Sequence, residues 1–89
     1  MKIIKFEQNN CPGCAKVGMF LNMVLETQPD KTYNLSTSMD AIDEATKYGI
    51  MTLPVLILLD EDEKEVQRVI GYDGKQEEII EMVEKRKAI

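Results

Sequence analysis

The hydrophobic period of this chain changes abruptly at residue 12, and that change limits the folds open to it. Over Lys2 to Glu7 the apolar Ile3, Ile4 and Phe6 are nearly continuous, as in a strand covered on both faces. Gln8, Asn9 and Asn10 break the pattern. From Pro12 onward Val17, Phe20, Leu21, Val24 and Leu25 recur at the three-and-four spacing of an apolar helical stripe. The spacing predicts a helix that ends near Thr27, before Pro29. Lys31 to Ser36, with Tyr33 and Leu35 in alternation, then supplies a second strand, and a strand–helix–strand unit forces its two strands to be parallel.

The second half of the chain follows a different plan. Asp40 to Tyr48 carries Ile42 and Ala45 on one side, and the next residue, Gly49, suits the left-handed position that ends helices. Val55 to Leu59 is an unbroken apolar run rich in branched residues, and Glu65 to Ile70 alternates Val66, Arg68 and Ile70 against Glu65, Gln67 and Val69. The acidic turn between them predicts a hairpin and therefore antiparallel pairing. Asp73 with Gln76 resembles a helix-capping pair, followed by Ile79, Ile80 and Val83 as a buried stripe. The predicted order is βαβαββα: an α/β chain with a mixed four-stranded sheet and helices on both faces. No repeat, linker or low-complexity stretch interrupts it, so residues 1–89 are expected to form a single domain.

Composition removes several classes of function. Apolar residues make up 44% and charged residues 30% of the chain, a balance that excludes disordered and collagen-like classes. A net charge of −5 opposes attraction to a phosphate backbone, so no nucleic-acid partner is expected. No apolar run reaches the roughly 20 residues that span a bilayer, and the opening Met1-Lys2-Ile3-Ile4-Lys5 is unlike a signal peptide. The expectation is therefore a cytoplasmic protein without membrane contact. The segment Met1 to Val24, with Lys2, Lys5 and Lys16 against Glu7, is net basic in a chain that is acidic overall, and it holds both cysteines. The acidic stretch Asp60 to Glu65 reads as a solvated surface turn.

Two cysteines three positions apart cannot supply the several spaced pairs of a small secreted disulfide framework. Catalysis or metal binding remains. Attack on a disulfide needs a thiolate, and a thiol at a helix N-terminus is acidified by unpaired backbone N–H groups and the positive end of the dipole. Pro12 suits the first helical position, because its missing N–H would have had no partner there. Cys11 then takes the cap, its sulfur within reach of the Gly13 and Cys14 amides, while Cys14 lies one turn in and more shielded. Cys11 is thus the expected nucleophile and Cys14 the resolving thiol, with no cofactor required for a two-electron exchange. The rival is half of a zinc site, although closed zinc sites take four ligands and the chain has no His and no third Cys. A third reading keeps the fold as an interaction platform with incidental redox chemistry.

A strand, Cys11-Pro12-Gly13-Cys14, a helix and then Thr52-Leu53-Pro54 before a hairpin together resemble the thioredoxin and glutaredoxin superfamily over nearly the whole chain. Lys47-Tyr48-Gly49-Ile50, Leu53-Pro54 and Val69-Ile70-Gly71 look like the later strands and final helix of thioredoxin, whereas the size is that of a glutaredoxin. The resemblance implies a cis Leu53–Pro54 bond beside the cysteines, with Pro12, Gly13 and Pro54 supporting the site. It also implies that Thr52, Leu53 and Pro54 pair with an extended substrate strand. For an isolated X–Pro bond, base rates alone favour trans.

Departures from the family are informative. Thioredoxins carry a Trp just before the first Cys and a buried Asp six residues before it, where this chain has Asn10 and Lys5. What deprotonates Cys14 is then open, with Glu7 and water as candidates. Lys5 reads first as a lysine whose stem packs on the sheet while its amine reaches water, and second as a charge that lowers a cysteine pKa. Pro12 after the nucleophile is glutaredoxin-like. Gly71-Tyr72-Asp73-Gly74 is an imperfect match to a glutathione-holding turn and serves equally as a turn and helix cap. Resemblance implies a monomeric dithiol donor for disulfide-containing client proteins, ribonucleotide reductase among them, recharged by thioredoxin reductase or by glutathione.

Overall fold

In the computed structural model, which describes residues 1–88, the chain forms β1 (Lys2–Glu7), α1 (Pro12–Met19), β2 (Lys31–Asn34), α2 (Met39–Lys47), β3 (Val55–Leu59), β4 (Glu65–Ile70) and α3 (Gln76–Lys87). The sheet runs β2-β1-β3-β4, with β1 parallel to β2 and antiparallel to β3, and β3 antiparallel to β4. This is the mixed sheet that the crossover and the hairpin require. The hairpin turns on Asp60, whose Oδ1 accepts the N–H groups of Asp62 at 2.8 Å and Lys64 at 2.9 Å while Glu63 takes a positive φ of 61°.

All five residues of β3 are buried because the strand has a helix layer on each side. Leu56 and Leu58 join Ile3, Val69, the α1 residues Val17 and Leu21, and the α3 residues Ile79, Met82 and Val83 in one core cluster. Val55, Ile57 and Leu59 point the other way, joining Ile4, Phe6 and Ala45 of α2. Tyr33 stacks on Phe6 with ring centroids 5.3 Å apart. Each fully buried aliphatic or aromatic side chain contributes about 1.5–3 kcal/mol, so the two-sided β1–β3 pair is the energetic centre of the sheet.

Three details differ from the sequence reading. Beyond Met19 the helix continues as a π-helical turn over Phe20–Val24, with Leu25 N–H bonded to Phe20 O at 3.0 Å. This wider turn takes up an extra residue, so the apolar stripe loses phase: Leu21 is buried but Val24 is 63% exposed. On α3 the buried stripe is Ile79, Met82 and Val83, and Ile80 lies one position round the helix toward solvent; Ile42 on α2 is similarly displaced by Ala41. Asp73 caps nothing, because α3 begins at Gln76 behind Lys75, and the preceding turn is shaped by Gly71 and Gly74 at φ 86° and 75°. Asp73 lies instead 3.8 Å from Lys16.

Ser38 caps α2, accepting the Ala41 N–H at 3.2 Å, and Gly49 ends it at φ 65°. At the far end of the sheet Arg86 of α3 donates to Asp30 Oδ2 at 3.0 Å, to Gln28 O at 2.8 Å and to Thr27 Oγ1. Asp30 also accepts the Ile3 N–H at 2.7 Å. Burial would push the Asp30 carboxyl up, but the Ile3 amide and the Arg86 guanidinium outweigh it and hold the group below its ordinary value. Among the described residues no helix is long and apolar enough to cross a membrane.

Candidate active site

The site is built where β1 stops. Asn10 turns the chain with a positive φ of 56°, a conformation Asn tolerates better than most residues. The loop is tied to the end of β2: Asn9 N–H donates to Ser36 Oγ at 3.0 Å, and Asn34 Nδ2 donates to Asn9 Oδ1 at 3.2 Å. Cys11 then takes extended backbone angles as the cap of α1, and Pro12 opens the helix. Of the two amides expected on the Cys11 sulfur, that of Cys14 reaches it, at 3.1 Å.

Cys11 and Cys14 are joined in a disulfide, with their Cα atoms 5.2 Å apart. The two sulfurs are unequal. Cys14 is 4% exposed, whereas Cys11 is half-buried at the surface.

The Leu53–Pro54 bond is cis, and Pro54 is buried at the start of β3. Its ring faces the first turn of α1 so closely that a β-carbon on Gly13 would stand 3.1 Å from Pro54 Cδ. The Pro54 carbonyl accepts the Gly71 N–H at 2.8 Å, which brings the Gly71–Gly74 turn alongside. The fold therefore gathers Cys11, Pro12, Gly13, Cys14 and Pro54 into one place. Thr52 is exposed, and Leu53 is half-buried against the core cluster on the α2 face.

Lys5 departs from its first sequence reading. The residue is buried, only 5% exposed, and Nζ donates to the Cys14 carbonyl at 3.0 Å and pairs with Glu7 Oε1 at 2.8 Å. Both faces of β1 are covered, and Lys5 points with Ile3 toward α1, so the stem cannot carry the charge to the surface. Residues i and i+2 of a strand share a face, which is why Glu7 is the partner within reach. The signal was present in the sequence as a lysine in a two-sided apolar strand with an acid two positions on. Both side chains line a cleft of about 800 Å³ together with Cys11, Cys14, Asn10 and Met19.

No family model matches the chain. It is 33% identical over 72 residues to the SPbeta prophage-derived thioredoxin-like protein YosR of Bacillus subtilis, a match covering 81% of this chain and 84% of that protein. The chain belongs to the thioredoxin-like proteins. Its thioredoxin fold is also found in solved structures. Reduced Schistosoma mansoni thioredoxin pre-protein superposes with a TM-score of 0.66 at 19% identity, covering 93% of this chain and 75% of that one. Another neighbour, from the complex of ferredoxin:thioredoxin reductase with thioredoxin f2, gives 0.68 at 20% identity, covering 97% and 76%. At these identities the structural likeness establishes the fold alone. Within the thioredoxin-like family, a cysteine pair with two residues between its members and at disulfide distance supports thiol–disulfide oxidoreductase chemistry in general.

Proposed function

We propose that this thioredoxin-like protein is a dithiol electron donor that reduces disulfides in client proteins through Cys11 and Cys14. The observation that carries this reading is the asymmetry of the pair: one sulfur at the helix cap and open to a partner, the other buried one turn in and bonded to the first. In the reduced protein the Cys11 thiolate attacks one sulfur of a client disulfide. The client S–S bond breaks, its second sulfur leaves as a thiolate, and a mixed disulfide forms. Cys14 then loses its proton, attacks the Cys11 sulfur and breaks the mixed disulfide. The client has gained two electrons, and the protein is left with the Cys11–Cys14 bond.

Pro12 and Gly13 shape the first turn that holds Cys11, and Pro54 backs that turn closely enough that a β-carbon on Gly13 would stand 3.1 Å from its ring. Thr52 and Leu53 lead into Pro54, and their backbone is our candidate for pairing with an extended client segment. The chain needs no cofactor for this cycle, since the couple is its own. Recharging calls for an external reductant, either a thioredoxin reductase or glutathione; that thioredoxin f2 is held by a ferredoxin:thioredoxin reductase in a solved complex supports a reductase. Ribonucleotide reductase is a candidate client, and a cytoplasmic monomer is the setting we propose.

Insulin reduction driven by dithiothreitol tests the reading, run with wild type, Cys11→Ser and Cys14→Ser and with metal content measured on the same samples. Expected are activity in wild type, its loss in Cys11→Ser, and a trapped mixed disulfide in Cys14→Ser. Inactive wild type with stoichiometric zinc would replace this function with a metal module, and inactive metal-free protein would replace it with an interaction platform.

A further inference from the structure

Buried Lys5 and half-buried Glu7 form a charged pair at the cysteines, and the disulfide cycle leaves it without a task. Its geometry is specific. The ammonium sits on the carbonyl of Cys14 itself, at 3.0 Å, so only the span of one residue separates the charge from the buried sulfur. Gly18, one helical turn further on, makes room for it: a β-carbon there would stand 3.3 Å from Nζ. The Lys5 side chain is 7% exposed and that of Glu7 is 26% exposed. The carboxylate is thus both one contact further from Cys14 and better screened by water than the ammonium, and the field the pair leaves at the cysteines is positive.

Reducing the disulfide replaces a neutral S–S bond with two sulfurs, one of which ionises, so reduction creates negative charge beside this pair. We propose that Lys5 and Glu7 set the redox poise of the Cys11–Cys14 couple, the ammonium favouring the reduced form and the carboxylate opposing it. Lys5 acts through the Cys14 backbone and is a positioning residue; neither side chain exchanges electrons. The inference rests on the dithiol reading above and adds to it an opposition of sign. Removing the cation drives the couple toward disulfide. Removing the anion leaves Lys5 uncompensated and drives it toward dithiol. A purely structural role for the pair has no reason to give opposite signs.

The test equilibrates wild type, Lys5→Met, Glu7→Gln and the double variant with graded mixtures of reduced and oxidised glutathione at neutral pH, reading the dithiol fraction by alkylation and mass. Glu7→Gln is expected to favour dithiol by up to about tenfold in the equilibrium constant, or about 30 mV for a two-electron couple. Lys5→Met is expected to shift by a similar factor toward disulfide, and the double variant to return most of the way to wild type. Single variants that move the same way, or not at all, overturn the proposal. Should Lys5→Met fail to fold, Glu7→Gln decides alone, since no shift or a shift toward disulfide overturns it. A wild type that never equilibrates with glutathione or dithiothreitol overturns the dithiol reading instead, a failure distinct from this one.

Discussion

Gly13 and Pro54, 41 positions apart in sequence, stand so close that one added carbon on the glycine would meet the proline ring at 3.1 Å. The first turn of α1 is seated on the start of β3 through this approach, and the ring has little freedom to yield. Replacing a helical glycine by alanine ordinarily stabilises by up to about 1 kcal/mol, whereas overpacking costs about 1–3 kcal/mol. Gly13→Ala is therefore expected to gain nothing or to lose up to about 2 kcal/mol. Thermal unfolding of the oxidised protein checks it, and a clear rise in Tm would show that the two elements part easily.

Gly18→Ala presents the opposite case, because its added carbon meets the flexible tip of Lys5 rather than a ring. Stability is expected to hold or rise by a few tenths of a kcal/mol through helix propensity. The ammonium, however, must give by a few tenths of an ångström beside the Cys14 carbonyl, so the glutathione equilibrium should shift slightly toward disulfide, by less than in Lys5→Met. An unchanged equilibrium would mean that the Lys5–Cys14 contact has no redox consequence.

Asp30 gives the fold a pH-dependent component. Its folded-state carboxyl lies below the ordinary value of 3.8, so its stabilisation is fully present above that value and is lost as pH falls through the lower folded one. The side chain is 45% exposed and its pair with Arg86 is partly screened, so Asp30→Asn is expected to cost under about 1 kcal/mol at neutral pH. That difference from wild type should shrink toward zero in strong acid. Urea midpoints for both proteins at neutral and acid pH measure it, and a pH-independent difference would assign the effect to shape rather than charge.

The helix cap at Ser38 is expected to behave independently of the cysteines. Ser38→Ala removes the oxygen that accepts the Ala41 N–H and should cost about 1 kcal/mol, a fall in Tm of about 4–8 °C for a domain of this size. Ser38→Asp should retain most of the stability. Equal losses in both variants would show that the hydroxyl, rather than capping as such, matters at this position.

Most of the architecture was legible because hydrophobic period reports burial directly. β1, β3 and β4 lie where apolar continuity or alternation put them, and Gly49 ends α2 as its position implied. The failures are equally physical. Val24 belongs to the stripe only if every turn holds 3.6 residues, and the π-helical turn breaks that assumption without leaving a mark in residue type. Asp73 has the spacing of a cap to Gln76, but Gly74 carries the chain through a further turn, and α3 starts only at Gln76. Lys5 differs for another reason: an apolar run shows that β1 is covered, but not that α1 closes over this side chain and takes its amine onto the Cys14 carbonyl. The cysteine pair and Pro54 were named from sequence, but the close approach of Pro54 to Gly13 depends on long-range folding that no local pattern encodes.

The inner position of β1, between β2 and β3, also decides which part of the molecule opens last. Its amides are paired on both sides, while β2 and β4 each have one free edge. Fraying from either rim would cost those outer strands first, and the strand bearing Lys5 and Glu7 should keep its deuterium-exchange protection until the whole domain comes apart. The charges beneath the sulfurs are thereby anchored to the slowest-opening ground in the protein, so local breathing at the margins leaves their distance to Cys14 unaltered.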